Sequence, residues 1–169
     1  MKKKILALCI IVCLLLTSVF AQKNKSLSKF KTSDLDGNTI SADIFAQADY
    51  TVLNVWGTFC PPCIAEMPEL GQWAKNMPKG TQLLGLVVDV NNPKDAKAIS
   101  KAKKILDGSD AKFLNLVANA DFSNFLKDVM FVPTTFIIDS KGNVAASPIV
   151  GAKVDQYKES LKALLDGKQ

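Results

Sequence analysis

Cys60-Pro61-Pro62-Cys63 is the group of residues in this chain best suited to chemistry. It follows an apolar, largely β-branched run at 52–56 and a turn at Gly57, and it stands at the mouth of a helix expected over 61–76. Two thiols at this spacing can close a small ring with each other, which suits dithiol–disulfide exchange. The chain has two further cysteines, Cys9 and Cys13, but both fall in an apolar N-terminal leader. With that leader removed, Cys60 and Cys63 are the only cysteines left to cycle.

Thiolate is the reactive species, and a free cysteine is mostly thiol at neutral pH. At a helix start, free amide N–H groups and the helix dipole favour an anion on Cys60. Pro61 and Pro62 are tolerated in a first turn, whose amides have no helical partner, but they remove two donors that could reach the sulfur. The Cys63 N–H remains as the nearest local donor, and no His stands between the cysteines. Only moderate stabilisation of the Cys60 thiolate is expected, and so a reducing rather than a strongly oxidising pair. Other uses of the pair fit poorly. A zinc site needs about four ligands, and the chain has no His. Haem attachment would need His after the second cysteine, where Ile64 stands. A purely structural disulfide across so short a loop would remove little unfolded-state entropy. No cofactor and no metal are expected.

Residues 1–21 read as a signal peptide. Lys2, Lys3 and Lys4 form a positive start, 5–16 is apolar, and small residues at Val19 and Ala21 suit cleavage after Ala21. The alternative is an uncleaved anchor, although the apolar stretch 5–20 is shorter than the roughly 20 residues of a spanning helix. Residues 22–28 are polar and Lys-rich and read as a flexible tether. Residues 29–169 are enough for one domain with a proper core. All 21 basic residues are Lys, against 16 acidic ones, and three of those Lys lie in the leader. The remaining excess is too small, and too little clustered, to suggest a nucleic-acid partner. Export places the dithiol in an oxidising or mixed compartment, where it needs an electron source or sink.

Positioning the thiols requires a scaffold, and the pattern supplies one. A hairpin is expected over 30–44 around Asp36-Gly37-Asn38, then a buried strand at 51–56. The helix at 61–76 contains Pro68. A strand at 82–90, a Lys-rich amphipathic helix at 95–106, a short strand at 113–117 and a short helix at 120–127 follow. A strand at 134–138 turns through 139–143 into another at 144–150, and a helix at 154–165 closes the chain. The order β-β-β-α-β-α-β-α-β-β-α suggests a three-layer α/β sandwich on a mixed sheet.

Trp56-Gly57-Thr58-Phe59-Cys60-Pro61-Pro62-Cys63 and Val132-Pro133-Thr134-Thr135-Phe136-Ile137-Ile138-Asp139 resemble the two active-site segments of thioredoxin-fold proteins. The run Asn54-Val55-Trp56, with Cys63-Ile64-Ala65-Glu66-Met67-Pro68 and the Leu35-Asp36-Gly37-Asn38 hairpin, resembles the extracytoplasmic TlpA/ResA-like thiol–disulfide oxidoreductases. The helix and strand inserted between Asn91 and Val117 also fit that branch. The resemblance spans about 27–165. It implies a thioredoxin-like fold with an N-terminal β-hairpin. Cys60 would be the attacking thiol and Cys63 the buried resolving thiol of a redox-active disulfide. Pro133 would follow a cis peptide bond, and Val132 would offer backbone to an extended client strand. Trp56 would pack beside the thiols and, with Phe59, Val132 and Pro133, would help bind a client. Asn54 stands where cytosolic thioredoxins usually carry a buried Asp, and Glu66 matches the acid of the ResA-like branch. That carboxyl, its pKa raised by partial burial, would exchange a proton with Cys63. Glu69 reads as surface.

The function expected is reduction of disulfides in exported client proteins, apocytochrome c among them, with a membrane electron donor of the CcdA type. A thiol oxidase or isomerase is the alternative within that class. A peroxiredoxin-type peroxidase would rely on an Arg beside the cysteine, and the chain has none. A non-catalytic binding module using the Val132-Pro133 groove is the remaining alternative.

Overall fold

The computed structural model describes residues 25–90 and 94–167. The expected leader therefore lies outside the described residues. The elements follow the expected order: β1 (Lys31–Ser33), β2 (Thr39–Ser41), β3 (Tyr50–Trp56), α1 (Pro61–Ala74), β4 (Thr81–Val87), α2 (Ala96–Gly108), β5 (Asn115–Val117), α3 (Ser123–Leu126), β6 (Thr134–Asp139), β7 (Ile149–Val150) and α4 (Val154–Asp166). Short 3-10 turns at Ala42–Gln47 and Ala120–Phe122 fill two connections.

Five strands form one sheet in the order β5-β4-β3-β6-β7, and β1 and β2 pair separately as the expected hairpin. β3 is central and every one of its residues is buried. It runs parallel to β4 and antiparallel to β6, so the sheet is mixed. A strand covered on both faces should read as a continuous apolar run, and 52–56 does so except at Asn54.

Chain direction explains the layers. The connections β3–α1–β4 and β4–α2–β5 both step toward the same sheet edge. Right-handed crossovers then place both helices on one face. Val52, Trp56, Leu83, Val87 and Ile137 point to that face and pack against Met67 and Leu70 of α1, Ala102 of α2, and Tyr157 and Leu161 of α4. Leu53, Val55, Leu84, Leu86, Phe136 and Ile138 point the other way, onto Phe30, Phe45, Phe122 and Phe125. The third layer of this thioredoxin-like sandwich is thus built mainly from loops and short turns.

Two expectations are corrected. The stretch 22–28, read as a loose tether, is docked over its described part. Leu27 is 2% exposed in the second core, its N–H donates to Gly142 O (2.7 Å), and Val144 N–H donates to Lys25 O (3.1 Å). One apolar side chain and an unpaired hairpin edge suffice to hold it. The strand expected over 144–150 is regular only at Ile149–Val150. Val144 bridges Ile138 and Ala145 pairs with Ile137, but Ile149 pairs with Thr135. Phe136 therefore faces Ala146, Ser147 and Pro148 together, a bulge at which Pro148 lacks the N–H a ladder needs.

Candidate functional site

The thiol pair sits where β3 ends and α1 begins. Trp56 closes β3, and Gly57 allows a sharp turn in which the Phe59 ring folds back over the backbone. A Cβ at Gly57 would lie 2.5 Å from that ring. Asp89, just past β4, accepts from the Thr58 N–H (3.0 Å) and the Thr58 hydroxyl, tying the turn down. Cys60 is the N-cap of α1, with Pro61 and Pro62 in the first turn. Cys60 and Cys63 form a disulfide. The Cys63 N–H donates to Cys60 Sγ at 3.2 Å, as expected from the missing proline donors.

Both cysteines are buried, Cys63 fully and Cys60 at 4% exposure, but Cys60 lines a groove with Phe59, Pro61, Met130, Phe131 and Val132. Phe59, Met130 and Phe131 are among the most exposed large apolar residues described, at 63%, 77% and 70%. The Val132–Pro133 peptide bond is cis, and Val132 O lies 3.4 Å from Cys60 Sγ. Met130 and Phe131 were not singled out in the sequence, although two large apolar residues beside Pro133 were a usable signal.

Trp56 faces inward. It is fully buried and its Nε1 donates to Asn115 Oδ1 (2.8 Å). It therefore backs the site and offers no surface to a client, against the expectation of a binding role. The hydrogen bond crosses the sheet above Gly85, where a Cβ would fall 1.8 Å from Asn115 Oδ1.

Behind Cys63, α1 turns Glu66 into the core, where it is 5% exposed. Asn54 Nδ2 donates to Glu66 Oε1 (2.8 Å) and to Thr135 Oγ1 (3.0 Å). The Tyr157 hydroxyl from α4 lies 3.0 Å from Glu66 Oε2. Burial disfavours the charged carboxylate and pushes the Glu66 pKa up to about 7. The hydrogen bonds from Asn54 and Tyr157 oppose that rise, and the nearby Glu69 charge adds slightly to it. Glu69 itself is a surface residue, ion-paired with Lys158 (2.6 Å). Asn54 and Glu66 meet through their hydrogen bond, and Glu66 lies one turn along α1 from Cys63. Tyr157 and Thr135 complete the cluster unforeseen, because both occupy positions that read as plain core.

The match to known proteins follows the same lines. Residues 22–165 match the family model described as Redoxin. The chain is 30% identical to the thiol-disulfide oxidoreductase ResA of Bacillus thuringiensis subsp. konkukian, covering 83% of this chain and 75% of that protein. It is also 30% identical to the thiol:disulfide interchange protein DsbE of Escherichia coli K12, covering 83% and 72%. Among solved structures, a thioredoxin family thiol:disulfide interchange protein from Chlorobium tepidum superposes with a TM-score of 0.60 at 23% identity, over 76% of this chain and 87% of that one. With a disulfide-forming pair at a helix start and relatives of this kind, the chain belongs to the Redoxin family and is a thiol–disulfide oxidoreductase of the thioredoxin fold.

Proposed function

We propose that the protein works outside the cytoplasm as a reductase of disulfides in client proteins. The observation that carries this is the asymmetry of the pair: Cys60 lines an apolar groove, while Cys63 is fully buried one turn of α1 before the buried Glu66 carboxyl. In the dithiol form, the Cys60 thiolate attacks a client sulfur and the client disulfide breaks. The departing client thiolate takes up a proton. Cys63 then gives its proton to Glu66 and attacks Cys60 Sγ, releasing the second client thiolate and leaving Cys60–Cys63 oxidised. Two electrons pass from the protein to the client, and an external dithiol must restore them. A CcdA-type membrane donor and an apocytochrome c client fit the resemblance to ResA-like proteins. An export leader at 1–21 supports the location. The Phe59, Met130 and Phe131 rim supports apolar client contact, with the Val132 backbone beside Cys60 available to an extended strand.

Trapping tests the assignment of the two thiols. Cys63→Ser should accumulate covalent mixed disulfides with clients, because attack proceeds and resolution fails. Cys60→Ser should accumulate few, and equal trapping by both variants would refute the roles. Direction is tested by the reduction potential of the pair. A value near that of thioredoxin, about −270 mV, supports a reductase, and one near −120 mV makes the protein an oxidant.

A further inference from the structure

The Tyr157 hydroxyl stands at a junction. It is 2.6 Å from Gly151 O and 3.0 Å from Glu66 Oε2, and it accepts from the Lys153 N–H at 3.1 Å. The side chain is fully buried, so no solvent competes for these contacts. Gly151 in turn donates its N–H to Pro133 O at 2.8 Å. The residue before Pro133 places its carbonyl 3.4 Å from Cys60 Sγ. A path of hydrogen bonds joined by short stretches of backbone thus runs from Glu66, through α4 and the end of β7, to the backbone over Cys60.

A hydroxyl has one hydrogen to donate and two lone pairs to accept with. Tyr157 therefore serves Gly151 O or Glu66 Oε2, not both. With Glu66 protonated, the tyrosine hydrogen goes to Gly151 O, while Tyr157 Oη accepts from the Lys153 N–H and from either the Glu66 O–H or the Thr135 hydroxyl that also reaches it. With Glu66 ionised, the carboxylate is the stronger acceptor and draws the tyrosine hydrogen to itself. Two oxygens 2.6 Å apart with no hydrogen between them repel, so Gly151 O must then move away. No net proton leaves Tyr157 in either state. Resting on the dithiol reading above, we infer that Tyr157 is a positioning residue that relays the protonation state of Glu66 to the Val132–Pro133 backbone over Cys60. The proton that Cys63 gives up on resolution would thereby reset the client-facing backbone.

The groups facing Glu66 leave little else to produce such a signal. β3 and β6 contribute the neutral Asn54 and Thr135. α4 contributes Tyr157, whose own pKa is pushed up to about 12, chiefly by burial. α1 contributes Cys63, silent while oxidised, and Glu69, which is paired with Lys158 at the surface. The chain has no His to titrate nearby.

The test is carbon and nitrogen NMR of the full chain in its disulfide form, from pH 5 to 9. In the parent, the Gly151 carbonyl carbon and the Ala152 amide nitrogen should titrate with the midpoint of the Glu66 carboxyl. In Tyr157→Phe, Glu66 should still titrate, with its midpoint raised by loss of a donor, while Gly151 becomes flat. In Glu66→Gln, Gly151 should be flat with Tyr157 present. Should Tyr157→Phe not fold, a Gly151 signal that still titrates in this second variant overturns the relay. A Gly151 signal that ignores Glu66 in the parent, or that titrates unchanged in either variant, would overturn the relay. Because the disulfide stays closed and no client is added, the outcome is independent of whether trapping supports the reductase reading.

Discussion

At the scale of single residues, the proposed exchange gives Glu66 a task that its neighbours cannot share. Resolution requires Cys63, whose side chain is fully buried, to lose a proton. Asn54 stands beside Glu66 with an amide that cannot take that proton. Tyr157 holds its own proton too tightly, since burial raises its pKa to about 12. A carboxyl with a pKa near 7 is poised to accept and return a proton at neutral pH. Glu66→Gln should therefore slow mixed-disulfide resolution by on the order of a hundredfold, the low end of what a positioned acid–base group contributes. Initial attack by Cys60, which lines the groove, should change far less. Stopped-flow exchange with a model disulfide between pH 5 and 9 separates the two phases. Superimposable pH–rate profiles for parent and variant would leave proton transfer to water.

At the scale of elements, the site depends on short segments that the periodic pattern does not describe. The turn 139–143 shows this. Gly142 has φ 82°, a conformation that a side chain strains, and a Cβ there would come within 3.0 Å of the Leu27–Ser28 backbone. Gly142→Ala should cost at least 1–2 kcal/mol, the usual penalty of the left-handed region, with the backbone clash added. It should also release the docked N-terminal stretch. Hydrogen exchange at the Leu27 and Val144 amides measures that release, and unchanged protection would contradict the docking. Gly142 was legible as a turn residue, but its second role was not, because the partner lies more than a hundred residues away. The same limit applies elsewhere. β3, β4, α1, α2 and α4 were readable because each carries its own apolar period. The thiols were readable from their own spacing, and Glu66 from its match to the acid of the ResA-like branch one turn past Cys63. Tyr157 was read as an apolar helix position, and nothing in 154–165 reports that its hydroxyl meets a carboxyl from α1. The bulge at Ala146–Pro148 was hidden for a related reason, since it depends on the register of β6.

At the scale of the whole molecule, placing an acid in the core sets a conflict between function and stability that pH should expose. The Glu66 pKa rises from 4.5 to about 7 on folding, so the native state holds a proton that the unfolded chain gives up. Stability from this group is present in full below about pH 4.5 and is lost as pH rises through 7. A shift of this size corresponds to about 3 kcal/mol between the two limits, at 1.36 kcal/mol per pKa unit. Asp110 and Asp128 act in the opposite direction. Hydrogen bonds and charge from Lys75 and Lys25 hold their pKa values below the ordinary 3.8, so their contribution is lost as pH falls below that value. Both are surface groups and their effect is small. The disulfide form should therefore be most stable near pH 4.5–5 and weaken toward pH 8. Glu66→Gln reproduces the shape and hydrogen-bonding capacity of the protonated acid without the pH-dependent penalty. It should match the parent near pH 5 and exceed it at pH 8 by up to about 3 kcal/mol. Denaturant unfolding of both proteins at pH 5, 6, 7 and 8 decides the point. Parallel stability curves would show that the buried carboxyl carries no such penalty, and the argument for its raised pKa would fall with it.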